Sequence, residues 1–238
     1  MAWNRGRVMG QRPGRSCFPF ANAWLRRNCG GTHGFTRKEL VATTAAIAIL
    51  LLVLVPASER WKRNDYRILC AGNLHQISLA FKTWGPDQQY NYAPRVPDSQ
   101  SGSLDAVATG AVFRHFQVMS NEVGEIKDLI CPADTRAPAK NFQTLSNFNL
   151  SYFVGVDASD SEPQMFLSGD RNITNGLPLT NRILVLRPDK PAGWTAELHN
   201  GQGNVLIADG SVEQWSTAAL GKASIQTNGY TPERLAIP

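Results

Sequence analysis

The longest uninterrupted hydrophobic stretch is residues 40–55, LVATTAAIAILLLVLV, sixteen positions without a charge. Such a run predicts a helix that is apolar on every side, about 24 Å long at 1.5 Å per residue. A hydrocarbon core is ~30 Å thick, so the run needs a few flanking residues to cross one. After Pro56 the pattern changes. Tyr66, Cys70, Leu74, Ile77, Phe81 and Trp84 recur at helical steps, and Lys62, Arg63, Asp65, Arg67, Asn73 and Gln76 fall on the opposite side. This predicts an amphipathic helix that restarts near Ser58 and Glu59, lays one face on a protein core, and stops at Gly85 and Pro86. The two halves together predict a helix from Phe35 to Trp84, kinked near Pro56 because proline removes a helical hydrogen bond.

Beyond Pro86 short apolar runs alternate with Pro, Gly, Ser and Asn, the texture of strands and loops. Strands are predicted at residues 149–156, 164–167, 182–186, 204–208 and 211–215. The last two are separated by Asp209 and Gly210, a two-residue signal for a type I′ hairpin. A helix is predicted over 104–119, with His115 on it, and an irregular tail after Lys222. The fold class is therefore α+β: a long N-terminal helix whose second half packs on a small antiparallel sheet domain. The organisation is a leader (1–34), a helix (35–84, with 35–55 in a membrane and 58–84 amphipathic), and a β-rich domain (85–238).

The net charge of +5 would suggest a nucleic-acid partner if it were spread along the chain. It is not. Residues 1–34 hold six arginines and no acid; of 24 basic residues, 18 remain beyond the leader, against 19 acidic ones. No excess positive charge is left there to displace counterions from a phosphate backbone, so nucleic-acid binding is not expected. Of the four cysteines, Cys17 and Cys29 lie in the leader and Cys70 and Cys131 in the body. Outside the cytoplasm a Cys70–Cys131 disulfide is allowed and would close a loop of about 60 residues, worth roughly 3 to 4 kcal/mol. Two buried thiols are the alternative. Neither cysteine has the spacing of a zinc motif.

The chemistry concentrates just before the apolar run, in GFTRKEL, Gly34 to Leu40. A lone carboxylate, Glu39, at the mouth of a hydrophobic helix is costly in lipid unless it meets a cation. A cut after Gly34 would supply one, the new α-amine of Phe35, either in the same chain or in a neighbour whose stagger the pair would set. Glycine before the cut suits the close approach of a peptidase to the backbone.

These residues resemble the type IV pilins and the pseudopilins of type II secretion. Members share a Gly-Phe-Thr junction, a glutamate at the fifth mature position, an apolar helix and often a proline at the twenty-second; here those are Gly34, Phe35, Thr36, Glu39 and Pro56. The body is similar to prepilin-like proteins of planctomycetes and verrucomicrobia. The matching segments are Cys70 with NLHQI (Asn73 to Ile77), CPAD (Cys131 to Asp134), and His199 with GNVLIADGSV (Gly203 to Val212). The resemblance implies cleavage by a prepilin peptidase, methylation of Phe35, single-pass residence in the inner membrane with the C-terminal domain in the periplasm or outside, and pilin-like partner subunits. Arg37 and Lys38 depart from it, standing where the family usually has an apolar residue; such cations suit cytoplasmic headgroups.

Other readings stay beside this one. Val55, Pro56 and Ala57 resemble a signal-peptide site ahead of Ser58, which would release a soluble β-rich protein. A tethered binding module that recognises a glycan or envelope component and never polymerises is the alternative function. No enzyme is expected: His199 with Asp209 and Ser211 reads more simply as loop and turn residues than as a triad. No cofactor is expected beyond weak calcium candidates, Asp170, Asn172 and Asn175, or Asp157, Asp160 and Glu162. Neither set has the EF-hand pattern.

Overall fold

The strongest hydrophobic signal in the chain forms a single element, helix α1, Arg37–Trp84. A computed structural model describes residues 36–89, 91–226 and 233–238. The chain divides into two units, residues 1–53 and 54–238. The segment Arg37–Pro56 has a mean hydropathy of 2.3 and none of it is buried, so among the described residues one helix is long and apolar enough to cross a membrane. Its twenty residues rise about 30 Å, the thickness of a hydrocarbon core. Two threonines inside it need no water: the Thr43 and Thr44 hydroxyls donate to the Leu40 carbonyl at 3.0 and 2.9 Å. The expected restart at Ser58 is not an element boundary. Pro56 lies within α1, and the Ser58 hydroxyl donates to the Val55 carbonyl at 2.8 Å.

In the second unit Cys70, Leu74, Ile77, Ala80, Phe81 and Trp84 of α1 are buried. Tyr66 is 39% exposed, so the buried stripe begins one turn later than the spacing predicts. Arg67 and Asn73, assigned above to the solvent side, instead reach protein: Arg67 donates to Gln202, and Asn73 Nδ2 donates to the Ile130 carbonyl at 2.9 Å. Short 3-10 turns, including Gly85–Gln88, follow the helix.

The predicted helix over 104–119 is two, α2 (Leu104–Thr109) and α3 (Phe113–Gln117). Gly110 separates them in the left-handed region at φ 70°, its N–H capping the Ala106 carbonyl. A side chain there would also stand 2.9 Å from the Asn181 carbonyl oxygen. On α3, His115 is fully buried with Nδ1 2.8 Å from the Ser103 hydroxyl. Burial pushes its pKa from 6.5 down to about 4, with Asp98 opposing. Between those values the unfolded chain takes up a proton that the folded chain refuses. Stability that is complete above pH 6.5 should therefore fall as pH drops towards 4, by about 3 kcal/mol from this group. Denaturation series on wild type and His115→Gln should converge as the pH is lowered; parallel curves would remove the group from the account.

The sheet strands are β1 (Tyr152–Gly155), β2 (Phe166–Asp170), β4 (Ile183–Val185), β6 (Gln202–Ile207), β7 (Val212–Ser216) and β8 (Arg234–Ala236). β3 (Ile173–Thr174) and β5 (Gly193–Trp194) form a separate pair, and helix α4 (Thr217–Gln226) follows β7. The six run antiparallel in the order β4-β8-β1-β2-β6-β7. Alternation sorts their side chains. Tyr152, Val154, Leu167 and Leu206 join the α1 core with Phe81 and Phe116. Phe153, Phe166, Val205 and Ile207 face a second core with Trp194, Leu220 and Leu235. Covering both faces lets neighbouring positions on a strand be apolar.

Two expectations need correction. The turn after β6 has three residues, 208–210: the Ile207 N–H donates to the Ser211 carbonyl at 2.9 Å, the Gly210 N–H donates to the Ile207 carbonyl, and positive φ occurs at Gly210 (98°) but not at Asp209. Tertiary bonds account for this. The N–H groups of Ala208 and Asp209 donate to Met165 and Pro163 carbonyls, and the Asp209 carboxylate accepts from Ser211 N–H and Oγ, both at 2.7 Å. The tail after Lys222 is also not irregular throughout, since it carries the last turn of α4 and then β8 between β4 and β1.

Candidate functional site

The predicted cleavage residues Gly34 and Phe35, with the predicted leader, lie outside the described residues. Just beyond them Thr36 and Glu39 form a reciprocal cap: the Thr36 N–H donates to Glu39 Oε2 at 2.9 Å, and the Glu39 N–H donates to Thr36 Oγ1 at 3.3 Å. The Ser/Thr-x-x-Glu spacing that produces such a box is visible in TRKE, and the reading above passed over it in favour of pairing with an amine. The box places the carboxylate at the head of α1.

The second site is inside the β-rich unit, where four positions far apart in sequence converge. Cys70 comes from α1 and Cys131 from the loop two residues beyond the 3-10 turn Ile126–Leu129; they form a disulfide with Cα atoms 5.1 Å apart. Asp170 ends β2 and is fully buried. His199 precedes β6, where Asn200 (φ 54°) and Gly201 (φ 78°) turn the chain in successive left-handed conformations, and it too is buried. Asn and Gly are the residues that adopt this backbone at least cost. One ligand-type atom from each of Cys70, Cys131, Asp170 and His199 lies within 4.8 Å of the others.

His199 Nε2 stands 3.4 Å from Cys131 Sγ and 3.4 Å from Asp170 Oδ2. The Asp170 Oδ2 atom also accepts from Asn204, from the N–H at 2.7 Å and from Nδ2 at 3.0 Å. Among the described residues, Asp170 Oδ1 and His199 Nδ1 have no hydrogen-bond partner although both are buried. Burial pushes Asp170 up to about 7, with the Asn204 bonds and the Arg67 charge opposing. Burial, and then the Arg67 charge, push His199 down to about 4. Both side chains are thus biased towards their neutral forms, as expected where water is excluded.

Around this centre Asp134, from the CPAD segment, is clamped by Arg171 Nε at 2.7 Å and Nη2 at 3.0 Å, and by the Ser151 hydroxyl at 2.8 Å. Burial acts against its charge, but the Arg171 and Ser151 bonds outweigh it and hold the carboxyl below its ordinary range. Of the calcium candidates, Asp170 Oδ1 and Asn172 Oδ1 are buried without hydrogen-bond partners among the described residues, whereas Asn175 Oδ1 accepts from the Leu177 N–H at 3.1 Å; the Asn172 and Asn175 Nδ2 groups donate to backbone carbonyls. Asp157 pairs with Arg234, Asp160 with Lys82 and Glu162 with Arg95. Nor do Asp209 and Ser211 help His199, since they bond one another.

Arg67, Asn204 and Asp170 in its role beside sulfur were missed because no local pattern joins positions separated by a hundred residues. Only the NLHQI, CPAD and GNV segments hinted that these stretches belong together. No family model, no curated protein and no solved structure matches the chain.

Proposed function

We propose that this chain is a pseudopilin-like structural subunit of the planctomycete and verrucomicrobial prepilin-like kind. A prepilin peptidase cuts after Gly34 and Phe35 is methylated. Helix α1 then holds the chain in the inner membrane as a single pass, with the sheet domain in the periplasm or outside. Glu39 aligns the helix with other pilin-like subunits of a type II secretion or type IV pilus-like system. The observation that carries this reading is a lone carboxylate capping the start of a twenty-residue apolar segment with no buried surface. Its cap partner is the N–H of Thr36, so a cut after Gly34 creates an amine at Phe35, one residue before that N–H and four before Glu39. An acid so placed is tolerated in lipid when a cation meets it. No catalytic role is assigned.

The test is expression of Gly34→Ala with a prepilin peptidase. The precursor should stay uncut and wild type should start at a methylated Phe35, read by mass spectrometry of the mature N-terminus. Unchanged processing, or a start at Ser58, would reject the junction.

One observation favours a tethered or secreted binding module instead. A cavity of about 550 Å³ is lined by Phe166 and Trp215 beside Asp209, Ser211 and Glu213. An aromatic wall next to carboxylates suits a polyhydroxylated ligand such as a glycan. Cross-linking between membrane-embedded helices separates the two, because persistent monomers would favour the module.

A further inference from the structure

The geometry points to a latent zinc site at Cys70, Cys131, His199 and Asp170, alternative to the disulfide: with the sulfurs reduced, the four side chains hold one Zn²⁺ tetrahedrally. Zinc binds thiolate at about 2.3 Å and imidazole or carboxylate at about 2.0 to 2.2 Å. In a tetrahedron those lengths put nitrogen about 3.6 Å from sulfur and about 3.3 Å from oxygen. The distances from His199 Nε2 are 3.4 Å to Cys131 Sγ and 3.4 Å to Asp170 Oδ2. Two of the ligand separations are therefore already set, on rigid partners. The other ligand atoms lie within 4.8 Å of one another, and side-chain rotation at Cys70 and Cys131 must part the sulfurs from bonding distance to about 3.7 Å.

Three further features suit an ion. A single ring nitrogen equidistant from a sulfur and a carboxylate cannot satisfy both with one hydrogen, but it can share one metal with both. Asp170 Oδ1 is buried without a partner among the described residues, so the carboxylate keeps an oxygen free for a cation. Asn204 anchors the carboxylate with two hydrogen bonds to Oδ2, the kind of support that ligating carboxylates need. Two thiolates and a carboxylate leave one negative charge beyond the two of zinc, and Arg67, whose charge acts on Asp170, lies beside it. Mixed sulfur, nitrogen and oxygen donors without open coordination favour Zn²⁺ over harder cations.

The exchange balances with a dithiol reductant. The dithiol reduces the Cys70–Cys131 bond by two electrons and becomes a disulfide itself; the two thiols formed release two protons as they take Zn²⁺. Oxidation reverses this and expels the ion.

The experiment uses the full chain in detergent, with Cys17 and Cys29 replaced by serine, oxidised or reduced with a dithiol under nitrogen and titrated with Zn²⁺ and with Co²⁺. The reduced chain should take one ion, show tetrahedral cobalt bands with thiolate charge transfer, and give a zinc-edge absorption spectrum with two sulfur and two lighter neighbours. The oxidised chain should take none. His199→Ala and Asp170→Asn should each weaken uptake by ~10-fold or more. If the reduced chain unfolds without metal and zinc restores its fold, the site is supported. No uptake, four sulfur neighbours, or equal uptake by oxidised chain or by His199→Ala would overturn it; the neighbour count on the unsubstituted site decides even if a variant misfolds.

Discussion

Gly155→Ala is expected to destabilise the sheet domain by at least ~4 kcal/mol, lowering its thermal midpoint by about 10 °C or more. A Cβ at this position would lie 1.8 Å from the Phe166 carbonyl oxygen and 3.0 Å from its carbon. The obstacle is backbone, so no rotamer change relieves it. The backbone of Phe166 cannot retreat either, because β2 pairs with β6 on its far side, with a register irregularity between Phe166 and Ser168. That irregularity brings the Phe166 carbonyl over the end of β1, and only a residue without a side chain fits beneath it. Gly72 is the control: it is exposed on α1, nothing lies within 4 Å of its would-be Cβ, and alanine there should stabilise by up to about 1 kcal/mol. Chemical denaturation of both variants measures the contrast. A Gly155→Ala midpoint near that of wild type would show that β1 and β2 part easily.

The features legible in the sequence are those written in consecutive residues. A sixteen-residue apolar run can only be a helix with unusual surroundings, and the steps from Cys70 to Trp84 declare a buried face. Strands β1, β2, β4, β6 and β7 were each touched by a predicted run, because alternation and turn residues are local. What failed was set at a distance. Arg234–Ala236 is three residues with no period of its own, and its neighbours β1 and β4 make it a strand. The Asp209–Gly210 turn gains a residue because Pro163 and Met165 accept its N–H groups. Arg67 looked like a solvent-facing cation until β6 supplied Gln202 and Asn204. The buried cluster follows the same rule, since its donors come from α1, the loop after a 3-10 turn, the end of β2 and the loop before β6. Each looked ordinary alone. Asp170 was noticed for calcium and His199 for catalysis, and neither idea placed them beside the two cysteines.

Removing the Cys70–Cys131 bond, by Cys70→Ala with Cys131→Ala, is expected to destabilise the sheet domain by about 4 kcal/mol. The cysteines are 61 residues apart, and the loop between them includes α2, α3 and the 3-10 turn Ile126–Leu129. Closing a loop of that length reduces the freedom of the unfolded chain most where few local contacts do so already. The bond is not the sole tie at this joint. Asn73, one turn along α1, holds the Ile130 carbonyl, but a single hydrogen bond of this kind contributes about 1 kcal/mol, so Asn73→Ala should cost far less than the double alanine variant. Guanidinium denaturation of the three chains, each kept oxidised, should rank them wild type, Asn73→Ala, double variant. Coincident midpoints for the first and last would mean that packing of Leu74, Ile77 and Phe81 already confines the loop. The same bond bears on location. A disulfide persists in oxidising compartments and is reduced in the cytoplasm, so a domain that depends on it by this margin has its full stability only where the bond survives. Thiol labelling of intact cells should therefore find Cys70 and Cys131 blocked in chains processed after Gly34; free thiols in the processed form would separate anchoring from the folded state described here.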